Sequence, residues 1–184
     1  MVQLSESASK YAFLLLSLVA IPLIAEMDIV LHFWLGEVPE HAVMFCRFIL
    51  IAALCDQISV GLTSANQAVG KIRVYNLVFY TLKRTVVIIA WWCLKKGLPL
   101  ISVMGCYAGI EFITSLLRLP LMKHIADIPM LPFCKNVFLR IIVPCIAMSV
   151  TCYVSVRFID LPWRLAITAT ASLIIGISTI WGFA

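Results

Sequence analysis

No polar stretch in this 184-residue chain is long enough to bury a core of its own. Charge is scarce: 12% of residues are charged against 63% hydrophobic, too little polar surface to cover a globule in water. A soluble domain is excluded on that ground. The chain also lacks a phosphate-binding glycine loop, a catalytic triad, an HExxH pair and any Cys/His spacing suited to a metal. The expectation is therefore a protein that is not an enzyme, with no catalytic residue, cofactor or bound metal and no ATP hydrolysis of its own. Cys46, Cys55, Cys93, Cys106, Cys134, Cys145 and Cys152 are scattered singly through apolar segments and read as small packing residues. The net charge of +5 comes without a basic-aromatic cluster, so nucleic acid is not an expected partner.

What the chain does have is six long apolar blocks joined by short polar links. The cleanest, Leu165 to Ala184, runs for twenty residues without one ionisable side chain. A helix advancing about 1.5 Å per residue crosses roughly 30 Å of hydrocarbon in that length. The spans are expected near 11–34, 42–69, 74–94, 98–120, 136–157 and 163–184. Barrel strands would alternate apolar and polar residues over about ten positions, and these blocks do not. The predicted fold is all-α, a polytopic membrane helix bundle of about six transmembrane helices in a lipid bilayer. Lys10 followed by Tyr11 to Ala25 has the flavour of a signal peptide, but no small-x-small cleavage site follows and further spans do.

Most links are short: Gly36–His41, Gly70–Arg73, Lys95–Pro99 and Ile159–Pro162. One is longer, Leu121 to Lys135, with Pro129 and Pro132 beside Lys123, His124 and Asp127. It divides four helices (1–120) from a C-terminal helix pair (136–184), with 121–135 as a cytoplasmic link. Gly105 and Gly109 have the small-xxx-small spacing that lets helices approach closely. Pro22 and Pro144 each remove an internal hydrogen bond from a span.

Orientation follows from Lys and Arg. With a cytoplasmic N-terminus, the inside segments carry Lys10, Lys71, Arg73, Arg118, Lys123, Lys135 and Arg140, and the outside links carry Lys95, Lys96, Arg157 and Arg164. The first outside link, Glu26 to Glu40, has neither residue type. The bias favours both termini on the cytoplasmic side.

Charge inside a membrane is costly, by about 2.5–3.5 kcal/mol per residue at a helix centre on insertion scales, and so marks function or a partner. Asp56 lies near the middle of the second span, and Ser59, Thr63, Asn66 and Gln67 share its helical face. That stripe suits either interhelical glue or a solvated transport path. Arg47 falls on the opposite face near the outer end, where it is expected to snorkel. Lys83 and Arg84 sit at the centre of the third span, about 100° apart around the helix. They are expected to pair with Asp56 and Glu111, or to line a hydrated cavity that attracts an anionic, phosphate-bearing ligand. Glu111, Ser115 and Arg118 share a face of the fourth span, with Arg118 expected to reach water at the inner boundary. The candidate substrate path is Asp56, Asn66, Gln67, Lys83, Arg84, Glu111 and Arg118.

Several segments resemble one known family. The stretch Trp34-Leu-Gly-Glu-Val-Pro-Glu40, then Arg47-Phe-Ile-Leu50, Ala65-Asn-Gln-Ala-Val-Gly-Lys-Ile72 and Tyr75 is similar to the C-terminal half of bacterial polysaccharide (O-antigen, lipopolysaccharide) flippases. Ser9-Lys-Tyr11 through Pro22 and Leu23 resembles the helix leading into that turn, and Gly105 to Ile110 a small-residue segment further on. The likeness covers about residues 5–120. These flippases belong to the superfamily of multidrug, oligosaccharidyl-lipid and polysaccharide exporters. The resemblance implies one lobe of a two-lobed flippase with a central cavity, moving an undecaprenyl-pyrophosphate-linked oligosaccharide across the bacterial inner membrane. It also implies that an N-terminal lobe is missing, so the chain reads as a fragment whose partner is that lobe. Lys83 and Arg84 match no shared signature of the family and stay candidates on their own physics. Two other readings remain: an inert membrane piece or helical partner of a biosynthetic complex, and a small-molecule exporter of the same superfamily.

Overall fold

The computed structural model describes residues 2–69, 72–126, 130–158 and 164–183, and every secondary-structure element among them is a helix. There are eight: α1 (Val2–Ala25), α2 (Met27–Leu35), α3 (Ala42–Gln57), α4 (Val60–Val69), α5 (Ile72–Lys95), α6 (Leu100–Ala126), α7 (Met130–Phe158) and α8 (Arg164–Phe183). Long apolar runs take this form because a helix satisfies its own backbone where no water is at hand. Leu4–Ala25, Asn76–Lys95, Leu100–Arg118 and Arg140–Arg157 are each long and apolar enough to cross a membrane, and the bent pair α3–α4 makes a fifth. α8 adds the shorter apolar stretch Ile167–Ser178. Of the about six spans read from the sequence, four to five meet that length and hydropathy among the described residues, and every expected block is found as helix there.

Two expected spans are broken. The block at 11–34 ends as α1 at Ala25 and restarts as α2, one turn after Pro22. Arg47 holds both sides of that break: its Nε donates to the Ile24 carbonyl at 3.0 Å and its Nη2 pairs with Asp28 at 2.7 Å. Arg47 is therefore a staple rather than the snorkelling residue expected from its position. The block at 42–69 bends by 43° between α3 and α4. Ser59 explains the bend locally, since its hydroxyl and its N–H both donate to the Asp56 carbonyl, each at 3.2 Å, and displace the regular helical bond.

The expected link at 121–135 is mostly helix: α6 continues to Ala126 and α7 starts at Met130. Pro132 sits in the first turn of α7, where its missing N–H would have had no helical partner. Beyond it, α7 and α8 pack on each other and on α1, while α3, α5 and α6 form the other side. α1 is the shared helix, burying Phe13, Leu14, Leu18 and Ala20.

Close approach occurs at unexpected glycines. Among the described residues a methyl group at Gly105 or Gly109 would meet nothing within 4 Å, so their spacing marks no contact with the described helices. The neighbours of α6 lie on its other faces. Gly61 instead brings α4 against the Ser5 backbone of α1, and its N–H donates to Ser9 Oγ at 3.0 Å. Gly176 lets α8 reach Leu18 and Met148. Gly97, at φ 71°, ends the α5–α6 hairpin with a left-handed turn.

Candidate functional site: a buried charge cluster

Asp56 stands in the last turn of α3, just before the bend, and Lys83 and Glu111 lie near the middle of α5 and α6. The fold brings these three together and adds Arg118, two turns beyond Glu111 on the same face of α6. Lys83 Nζ is 3.0 Å from Glu111 Oε1 and 3.8 Å from Asp56 Oδ1. The first is a charge-assisted hydrogen bond; the second is too long for one and acts through the field alone. Arg118 Nη2 approaches Asp56 Oδ1 at 2.9 Å, and its Nη1 donates to Ser59 Oγ at 2.8 Å. The guanidinium also lies 5.5 Å from the centre of the Phe79 ring.

Ser59 is the hub. Its hydroxyl donates to the Asp56 carbonyl and accepts from Arg118 and, at 3.2 Å, from Ser115 Oγ. That uses its one proton and both lone pairs. The bend of the span and the charge cluster therefore share a single side chain. Two carboxylates meet two cations, so the charges balance. Two polar atoms are left over: Glu111 Oε2 and Arg118 Nε are buried without a hydrogen-bond partner among the described residues. Each is a site where water or a ligand atom would be stabilised.

Burial is lopsided. The side chains of Glu111 and Arg118 are 5% and 9% exposed, whereas those of Asp56 and Lys83 are 38% and 37% exposed. The cluster is closed on the α6 side and open where α3 faces α5. Arg118 does not reach water at the inner boundary, as its position suggested, because it folds back onto Asp56 and Ser59.

The other candidates fall elsewhere. Asn66 is buried, with both amide atoms unpartnered among the described residues. Gln67 and Arg84 are exposed, and Arg84 joins no ion pair among the described residues. The expected continuous stripe from Asp56 to Gln67 is interrupted by the bend at Ser59. Among the described residues no three of His, Cys, Asp and Glu gather as metal ligands would.

Sequence reasoning passed over Glu26. Assigned to an outside link, it is only 2% exposed and accepts a hydrogen bond from Thr168 Oγ1 of α8 at 3.2 Å. Pro22, four residues earlier, was the available signal, since a helix that breaks there can turn the next side chain inward. Glu26 borders an apolar groove of about 180 Å³ lined by Leu18, Val19, Leu23 and Leu173. No family model, curated protein or solved structure matches the chain.

Proposed function

We propose that this chain forms part of a bacterial inner-membrane transporter that flips an undecaprenyl-pyrophosphate-linked oligosaccharide for surface polysaccharide biosynthesis. One observation carries the transporter part of this reading: Asp56 and Lys83 are more than one-third exposed in the middle of their spans. An ionised side chain there is not left against hydrocarbon, so this opening faces either a hydrated cavity or a second protein surface. Its position at the break of a span fits the way transporters build substrate paths, from discontinuous helices near the bilayer midplane. The cargo rests on the resemblance of residues 5–120 to polysaccharide flippases, and on the fit of the exposed Arg84, which joins no ion pair among the described residues, to a pyrophosphate. The same resemblance makes an N-terminal lobe the partner that covers the opening. The excess of Lys and Arg in the inside segments supports cytoplasmic termini.

A second reading, a non-transporting helical partner, draws on the balance of charge within the cluster. An internally neutral network glues helices whether or not anything passes. Both are tested in a strain that cannot flip lipid-linked glycan, supplied with the chain together with a flippase N-terminal lobe. Restored surface glycan in the wild type, lost in Arg84→Ala at unchanged membrane abundance, is the expected outcome, because Arg84 is exposed and joins no ion pair among the described residues. Unrestored glycan with the assembled protein present at normal abundance would remove the flippase reading. For topology, a periplasm-active reporter should work after Glu37 and stay silent after Arg73; the reverse pattern overturns the orientation.

A further inference from the structure

Between Asp56 and Glu111 the chain carries no carboxylate, yet Lys71, Arg73, Lys83, Arg84, Lys95 and Lys96 all fall there. Lys83 spends its charge on Glu111 and Asp56. Lys95 and Lys96, at the C-terminal end of α5, are exposed and join no ion pair among the described residues. Each is instead held against an indole. Lys95 Nζ lies 4.9 Å from the centre of the Trp91 ring, and Lys96 Nζ lies 3.8 Å from that of Trp92.

The two pairs repeat the same four-residue spacing at adjacent positions, about 100° apart around the end of the helix. Trp91 and Trp92 are themselves 61% and 53% exposed, so this double platform faces the surroundings rather than the bundle. The helix end does not need the lysines as caps. The N–H groups of Lys96, Gly97 and Leu98 already donate to the carbonyls of Trp92, Leu94 and Cys93. The apolar span of α5 ends at Lys95, which puts the four side chains where hydrocarbon gives way to headgroups.

An ammonium resting on a ring face directs its remaining N–H bonds away from the ring. Two such ammoniums, with no carboxylate near them in sequence and an apolar helix face directly below, complement a ligand that is anionic at one end and hydrocarbon at the other. We propose that Trp91, Trp92, Lys95 and Lys96 bind an anionic phospholipid, its phosphate taken by the two ammoniums and its acyl chains lying along exposed Val87 and Ile88. A zwitterionic lipid offers the same phosphate but brings a cation of its own against the second lysine. The site stands independently of what the bundle transports.

Native mass spectrometry of the 184-residue chain in mild detergent, doped with phosphatidylglycerol or phosphatidylcholine, tests this directly. The wild type should retain phosphatidylglycerol preferentially. Lys95→Gln with Lys96→Gln should weaken that retention by about fivefold per lysine, with far-UV circular dichroism unchanged. Lys95→Arg with Lys96→Arg should keep it, because charge and stacking both survive. Equal retention of the two lipids by the wild type overturns the proposal whatever the variants do. So does unchanged phosphatidylglycerol retention in the double Gln variant, or displacement of the lipid by millimolar inorganic phosphate, which would mark a soluble anion as the ligand.

Discussion

The two sides of α1 hold helices together by different chemistry. On the α3–α6 side, contacts between helices run through charge: Asp56, Lys83, Glu111 and Arg118 each reach a partner on another helix. On the α7–α8 side the polar contacts are uncharged or hydroxyl-borne: Ser17, Thr151 and Ser172 bond back to Leu14, Ala147 and Ala169, while Ser17 also meets Cys145, Ser172 meets Cys152 and Thr168 donates to Glu26 across helices. Beside these, the helices meet by shape: Gly176 against Leu18 and Met148, with Val137, Ile141 and Met148 buried. A membrane bundle has no hydrophobic drive between helices, so packing and polar contacts must supply the attraction, and here the two sides draw on them differently. The charged side is open at Asp56 and Lys83; the packed side opens as an apolar groove bordered by Leu18 and Leu173. A transported ligand finds exposed in-span charge on the first side, whereas Glu26 on the second is only 2% exposed.

If that division is right, removing one charge does the most damage. Lys83→Ala leaves Glu111, whose side chain is 5% exposed, without its ion partner and should destabilise the bundle by about 3 kcal/mol, toward the lower end for a broken buried pair. Thermal unfolding in detergent measures it. Lys83→Ala with Glu111→Ala should recover most of the loss, because both charges leave together. A double variant no better than the worse single would mean that the pair is not a unit.

Next in size is a steric test of the packed side. Gly176→Ala drives a methyl group into Leu18 and Met148 and should cost about 1–3 kcal/mol, the usual penalty of overpacking. Gly61→Ala should cost at least as much, since the obstacle there is the Ser5 backbone and not a movable side chain. Both read out as lower melting temperature with helicity retained at room temperature.

Thr168→Val sharpens the comparison from the side of Glu26, the one buried carboxylate among the described residues outside the charge cluster. It removes the hydroxyl that donates to Oε1 while nearly preserving shape, and a loss of about 1 kcal/mol is expected for that bond. Smallest of all, Gly105→Ala and Gly109→Ala should change stability by less than about 1 kcal/mol, in the favourable direction, because glycine is the poorer helix residue and nothing opposes the methyl. A large loss at either would reveal a neighbour on that face of α6.

Much of the cluster was legible beforehand. Asp56, Lys83 and Glu111 announce themselves because a charge in mid-span needs an explanation, and opposite signs in three spans make pairing the simplest one. Arg118 was placed at the boundary, since distance along the helix says nothing about which way a long side chain folds back. Glu26 was missed for a related reason: at the end of an apolar block, a carboxylate looks like the start of a polar link until the chain is seen to turn. The bend at Ser59 was equally invisible, because a serine that keeps its helix straight and one that breaks it read alike.

By itself, then, the order of residues determined that the chain is helical and membrane-embedded, because apolar length and backbone hydrogen bonding are local properties. It also determined which spans carry charge that must be neutralised. Only the tertiary structure decided who neutralises whom, where two spans break and which glycines lie in contact. Those depend on the relative rotation and height of helices far apart in sequence, set jointly by all their neighbours and by no single segment.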